Sequence, residues 1–245
     1  MTALLPVPPP LLPPDARTVT AAQRAWMLTA AREIGECCRV LAKAGLNVVG
    51  EVLRGQGEFV ELEHYPRDDV FDGETCSQYY YHAHRPEAGE HGHFHTFLRA
   101  GGMPAGTRPL DWPLASEPWP QGDDVICHLL GIAMDAWGRP VGLFAANRWV
   151  TGETWYPADD AIAMLDRFRI DHAAPSWPVN RWITAMPILF RPHAEALLHH
   201  RDAVITAWQA AYPDEDVFED RRLEITGYLP IDVTAWTAQL EKHHL

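Results

Sequence analysis

The sequence predicts an α+β fold in which an antiparallel β-sheet, open or barrel-like, lies between an N-terminal helix and a C-terminal helical part. Apolar residues recur with a helical period over about residues 20–54 and 157–245, and with a strand period over about residues 58–150. Because helical and strand segments are grouped along the chain, an α+β fold is favoured over a repeated βαβ unit. The 245 residues, 47% of them hydrophobic, suffice for one core, and we predict a single domain over residues 18–245.

The first elements are an arm, a helical region and a strand. Residues 1–17 are rich in proline, which predicts an extended arm. Thr20 is a candidate N-cap, and apolar side chains then follow one helical face as far as Gly45, a candidate helix end. The helical region continues over residues 46–54. Residues 58–65 alternate between polar and apolar side chains, which predicts a half-buried strand.

The centre of the chain predicts further strands and its last third predicts helices. The segments SQYYYHAH, HFHTFLR, VICHLLGIAM and VGLFAANRWV are rich in residues that favour strands. The sequence DAWGRP, between the last two segments, is typical of a hairpin turn. The acidic group Asp68, Asp69 and Asp72 predicts a turn. After Pro157, segments that open on acids or proline predict helices up to the C-terminus.

Charge and composition exclude several classes of protein. The formal net charge of −13 repels phosphate backbones and anionic lipids, so neither a nucleic acid nor a membrane is expected as a partner. No apolar run approaches the roughly 20 residues that span a bilayer. Lys43 and Lys242 are the only lysines, which disfavours Schiff-base chemistry and a P-loop. The four cysteines form neither a CxxC pair nor a disulfide framework, which favours a reducing cytoplasm.

Histidines are concentrated in one segment of the chain. Five of the 13 histidines lie within residues 82–95, in the patterns His-Ala-His and His-Gly-His-Phe-His. A spacing of two residues places side chains on the same face of a strand. If residues 85–92 join two antiparallel strands, pairing His84 with His93 also pairs His82 with His95. Four imidazoles would then share one patch, and the opposite face would be aromatic and apolar, as a core requires.

Such a cluster of imidazoles predicts a transition-metal site. Cross-strand Cβ separations of about 4.5–5.5 Å allow three or four imidazoles to bind one ion. Nitrogen ligands without sulfur favour Zn, Fe or Cu over Ca or Mg. The later strand VICHLLGIAM could add one more histidine to the same patch. The candidate metal ligands are His82, His84, His91, His93, His95 and His128.

Three further residues are candidates for catalysis. Glu90 is the nearest carboxylate and could be a ligand, a general base, or the partner that fixes a histidine tautomer. Tyr80 and Arg99 share the histidine face, where Tyr80 could donate a proton and Arg99 could hold an anionic group of the substrate. Together these residues favour a metalloenzyme that acts on a small molecule by hydrolysis or oxidation. A closed site of four histidines would favour metal storage, delivery or a structural role instead.

The motifs give three resemblances to protein families. HGHFHTFLRAGG resembles the His-x-His-x-His strand of the histidine-triad nucleotide hydrolases and transferases, which implies metal-free nucleotidyl or phosphoryl transfer with His93 as the nucleophile. HAHRPEAGE resembles the cupin metal motif, which implies a barrel with His82 and His84 as ligands beside Glu87 or Glu90. HAHR, GEHGHFHTFLR and NRWVTGE together are similar to an uncharacterised bacterial family, a resemblance that covers most of the chain and implies no activity.

Overall fold

The structure, a computed structural model, describes residues 10–84 and 89–242 and has the predicted α+β architecture. Residues 1–9 of the predicted arm lie outside these ranges. Not one of the described helices is both long and apolar enough to span a membrane. The helices are α1 (Ala21–Lys43), α2 (Val48–Leu53), α3 (Arg148–Thr151), α4 (Ala158–Leu165), α5 (Trp177–Leu189), α6 (Arg191–Ala211) and α7 (Val233–Lys242). The strands are β1 (Tyr65–Asp72), β2 (Ser77–His82), β3 (Gly92–Arg99), β4 (Ile126–Met134), β5 (Pro140–Ala146) and β6 (Ile225–Pro230).

Helix α1 begins where the sequence predicts. The Thr20 hydroxyl accepts a hydrogen bond from the Gln23 backbone N–H, and the Gln23 side chain accepts one from the Thr20 backbone N–H. This capping box satisfies two of the N–H groups that a helix leaves without a partner at its start. The helix packs along α5, to which the Arg181–Glu33 ion pair also joins it.

The six strands form one antiparallel sheet in the order β1-β2-β3-β4-β5-β6. Strands β1 and β6 are its two edges, so the sheet is open, and the barrel-like closure that the sequence allowed and the cupin resemblance implied is wrong. One face of the sheet packs against helices. The Phe94 ring lies 5.5 Å from Trp182 of α5, and the Tyr79 hydroxyl donates to Asn180 of the same helix. The other face carries the histidines.

Two strands lie elsewhere than the sequence predicts. Residues 58–64 form a loop that includes Leu62 at φ +69°, and the first strand begins only at Tyr65. Strand β1 then runs through the acidic segment predicted as a turn. Asp72 can be buried there because its carboxylate accepts hydrogen bonds from three backbone N–H groups. Strand β6 lies within the region predicted to be mainly helical, and its six residues are held as an edge strand by pairing with β5.

Strands β2 and β3 pair in a different register from the predicted one. His82 pairs with His93, and Tyr80 pairs with His95. The predicted pairs, His84 with His93 and His82 with His95, are therefore wrong by two residues. A shift of two residues leaves every side chain on its predicted face. The histidines consequently remain together, although β2 ends at His82 and His84 lies just beyond it.

Candidate metal centre

Three histidines of β2 and β3 converge on one point. One ring nitrogen from each of His82, His93 and His95 lies within 4.8 Å of the other two. The Nε2 atoms of His82 and His93 are 2.8 Å apart. This is a hydrogen-bonding distance, whereas two nitrogens bound at about 2.0–2.1 Å to one tetrahedral ion lie about 3.3–3.4 Å from each other. The two rings need to separate by only about 0.5 Å to become ligands of one ion, and His95 lies close enough to complete a set of three.

The three imidazoles are shielded from water. His93 and His95 are 0% exposed, and His82 is 8% exposed. Beside them on the same face, Gly131 of β4 pairs with His95 on one side and with Phe144 of β5 on the other. The Phe144 ring crosses Gly131 so closely that a Cβ there would lie well under 3.0 Å from it. The ring meets His93 and His95 edge to face at 5.1 and 5.5 Å, and so closes the apolar side of the site.

Glu90 lies directly behind His93. Its Oε1 is 2.8 Å from His93 Nδ1, and both side chains are buried. A carboxylate only accepts hydrogen bonds when ionised, so this contact favours a proton on Nδ1 and leaves the lone pair on Nε2. That nitrogen is the one that faces His82. A histidine that binds a metal usually has such a partner on its second nitrogen.

His128 reaches the cluster through a β-bulge. Thr96 pairs with Leu130, but the next residue of β3, Phe97, pairs with His128, so Leu129 is an extra residue in β4. In a regular strand, His128 and Leu130 are two residues apart and would share the helix-packed face. The extra residue breaks this alternation and turns His128 to the histidine face. There His128 Nε2 lies 3.0 Å from His95 Nδ1. Burial, and then the positive charge of Arg201, lowers the pKa of His128 to about 3, so its ring is neutral.

His84 and Tyr80 border the three histidines. The half-buried His84 ring lies 4.9 Å from the rings of both His82 and His93, although it is beyond the end of its strand. Tyr80 lies 5.2 Å from the rings of His82 and His95. Burial, with a smaller contribution from the charge of Asp69, raises the pKa of Tyr80, so its phenol keeps its proton.

The structure does not bring His91 or Arg99 to the three histidines. The His91 ring stacks on Phe59, and its Nδ1 lies 2.7 Å from the hydroxyl of Tyr81, a residue of the helix-packed face. Arg99 lies at the far end of β3, where its Nε donates to the Gln78 side chain at 2.6 Å. Glu87, the alternative carboxylate of the cupin resemblance, lies outside the described residues.

A polar pair, His64 and Asp69, also lies beside the site, although no motif of the sequence joins the two residues. The loop before β1 places His64 flat against Tyr80, with ring centroids 3.6 Å apart, and 5.6 Å from the ring of His82. His64 Nδ1 lies 2.9 Å from Asp69, which also accepts a hydrogen bond from the Gln78 side chain. In the sequence, His64 and Asp69 are only a histidine and an aspartate five residues apart. The irregular backbone of the loop brings their side chains together.

Fold and site thus define an α+β protein with a buried group of three histidines on an open antiparallel sheet. The chain belongs to a family described as a domain of unknown function, DUF6969, whose match covers residues 28–231 and hence all six strands and the three histidines. No curated protein and no solved structure matches the chain. Membership of an uncharacterised family is confirmed, and the activity has to be argued from the site.

Proposed function

We propose that the protein binds one transition-metal ion through His82, His93 and His95 and uses it to act on a small molecule, by hydrolysis or oxidation. The observation that carries the proposal is the convergence of three buried imidazoles, one of them backed by the Glu90 carboxylate. Burial of a polar ring costs free energy that its partners must offset, and a shared ion would bind one nitrogen of each of the three rings while Glu90 and His128 contact the second nitrogens of His93 and His95. Structural packing alone would be served more simply by apolar residues.

The donor set suits Zn, Fe or Cu. Imidazole nitrogens bind these metals well, whereas Ca and Mg prefer oxygen. Three neutral ligands leave the full positive charge on the ion and at least one coordination position open, which supplies a Lewis acid for a small molecule. A small molecule also fits the net charge of −13, which opposes binding to polyanions. The free cysteines at 37, 38, 76 and 127 support a reducing compartment such as the cytoplasm.

The second candidate function is metal storage, delivery or a structural role. It is favoured by His84, whose ring centroid lies 4.9 Å from those of His82 and His93; the nitrogens that converge belong to His82, His93 and His95, so the His84 ring would have to move to become a fourth ligand. Four histidines would close a tetrahedral site and leave no position for a substrate. The third reading, with His93 as a metal-free nucleophile, has less support because its Nε2 faces His82 and its ring is 0% exposed.

Metal titration of the purified protein tests the proposal. We expect about one equivalent of Zn²⁺ or Co²⁺ to bind tightly, and His93→Ala or His95→Ala to abolish tight binding. His199→Ala is the matched control, since this side chain is 58% exposed on α6 and should leave binding unchanged. Equal uptake by all four proteins would refute the site.

The Co²⁺ protein then separates the first two functions. Azide or free imidazole should change its visible spectrum if a coordination position is open, and should leave it unchanged if His84 closes the site. His84→Ala provides the control, because removal of a fourth ligand would create the azide response in a closed site. An unresponsive wild type with a responsive His84→Ala variant would establish the storage or structural role.

A further inference from the structure

The contact between His95 and His128 admits only one shared proton. His95 Nδ1 and His128 Nε2 are 3.0 Å apart, and the two residues are 0% and 2% exposed. A neutral imidazole carries one N–H and one lone pair, so either His95 donates from Nδ1 or His128 donates from Nε2. In the first case His95 Nε2 keeps its lone pair and can bind a metal. In the second case His95 Nε2 carries the proton and cannot.

The proposed metal site requires the first case. His95 Nδ1 is in contact with His128, so Nε2 is the nitrogen that His95 can offer to an ion beside His82 and His93. A ligand nitrogen needs its lone pair, so the single proton of a neutral His95 then lies on Nδ1. His95 donates and His128 Nε2 accepts, which leaves the proton of a neutral His128 on Nδ1.

The bulge in β4 holds this arrangement in place. The Thr96 hydroxyl donates to the Leu130 carbonyl at 2.9 Å and accepts from the Leu130 N–H at 3.2 Å, immediately beside the extra residue. The backbone N–H of His128 donates to the buried Glu153 carboxylate at 2.7 Å. Both sides of the bulge are therefore fixed by side chains, which holds the His128 ring against His95.

We propose that His128 is a positioning residue that holds His95 in the tautomer whose Nε2 can bind the metal, and that His128 is not itself a ligand. The hydrogen bond runs from His95 Nδ1–H to His128 Nε2, and the proton of the neutral His128 lies on its Nδ1. This inference rests on the proposed metal site and assigns His128 the same task for His95 that Glu90 performs for His93. A second partner of this kind typically changes metal affinity by about 10–100-fold.

Two substitutions and one spectrum test the inference. His128→Gln keeps an acceptor oxygen for His95, whereas His128→Leu removes the acceptor at similar volume. We expect Zn²⁺ affinity within about threefold of wild type for His128→Gln, and a loss of about 10–100-fold for His128→Leu. Long-range ¹H–¹⁵N spectra of the metal-free wild type should show both His95 and His128 protonated at Nδ1.

Several outcomes would overturn the inference. One is a His95 ring protonated at Nε2 in the metal-free wild type, and another is wild-type Zn²⁺ affinity in a folded His128→Leu variant. A ¹¹³Cd–¹⁵N coupling to His128 would make it a ligand. The wild-type spectrum decides the matter even if His128→Leu does not fold. A wild type with the expected tautomers that binds no metal would refute the proposed function and leave the tautomer assignment standing.

Discussion

Gly131→Ala should disturb the site without changing any of its polar groups. Gly131 lies between His95 and Phe144 in the sheet, and a Cβ at this position would overlap the Phe144 ring. The ring cannot move freely, because its edge also packs on His93. Forcing one extra carbon into a well-packed region costs about 1–3 kcal/mol. For a protein of this size we expect the melting temperature to fall by roughly 2–4 °C for each kcal/mol.

Urea unfolding at constant pH measures this effect. Gly35→Ala is the control, since Gly35 is exposed in α1 with no atom within 4 Å of its added Cβ, and should raise stability by about 0.5–1 kcal/mol. Combining Gly131→Ala with Phe144→Leu should give a double-mutant coupling of about 1 kcal/mol, because the smaller side chain accommodates the methyl group. A Gly131→Ala protein as stable as wild type would refute the packing described around the histidines.

Three other perturbations have defined outcomes. Glu90→Gln should weaken Zn²⁺ affinity about 10–100-fold in a chelator competition, because the amide no longer holds the His93 proton as a carboxylate does; unchanged affinity would remove Glu90 from the site. Burial lowers the pKa of His193 from 6.5 to about 4, so the unfolded chain binds the proton first and stability falls as pH decreases from about 6.5 to 4, by up to about 3 kcal/mol. His193→Phe should reduce that slope in urea unfolding measured across this range, and an identical slope would contradict the assignment. Asn180→Ala should lower the free energy of unfolding by about 2–4 kcal/mol, since it leaves the buried Tyr79 hydroxyl and two carbonyls without their partner. A decrease below about 0.5 kcal/mol, which is typical of a surface substitution, would contradict this network.

The histidine face was predictable because it depends only on the parity of strand positions. The two-residue spacing places His93 and His95 on one face whatever the register, so the error of two residues moved the pairs without separating the cluster. The exact register depends on where the strands end. Strand β2 stops at His82, which the continuous pattern of aromatic residues and histidines up to His84 does not reveal.

Other features depend on irregular backbone, which periodicity cannot represent. His128 reaches the histidines only because Leu129 is an extra residue in β4, and His64 reaches them only through a loop. Strand β6 is six residues long and is held by β5, about 80 residues earlier in the chain. Its formation depends on a long-range partner that a local pattern does not contain.

Anomalous diffraction from crystals of the metal-loaded protein tests the central claim most directly. Data collected on either side of the metal absorption edge locate the ion independently of any assumed ligand. We predict one strong peak on the histidine face of β2 and β3, at about 2.0–2.1 Å from nitrogens of His82, His93 and His95. A peak confined to exposed histidines such as His199, with none among the three buried rings, would contradict it.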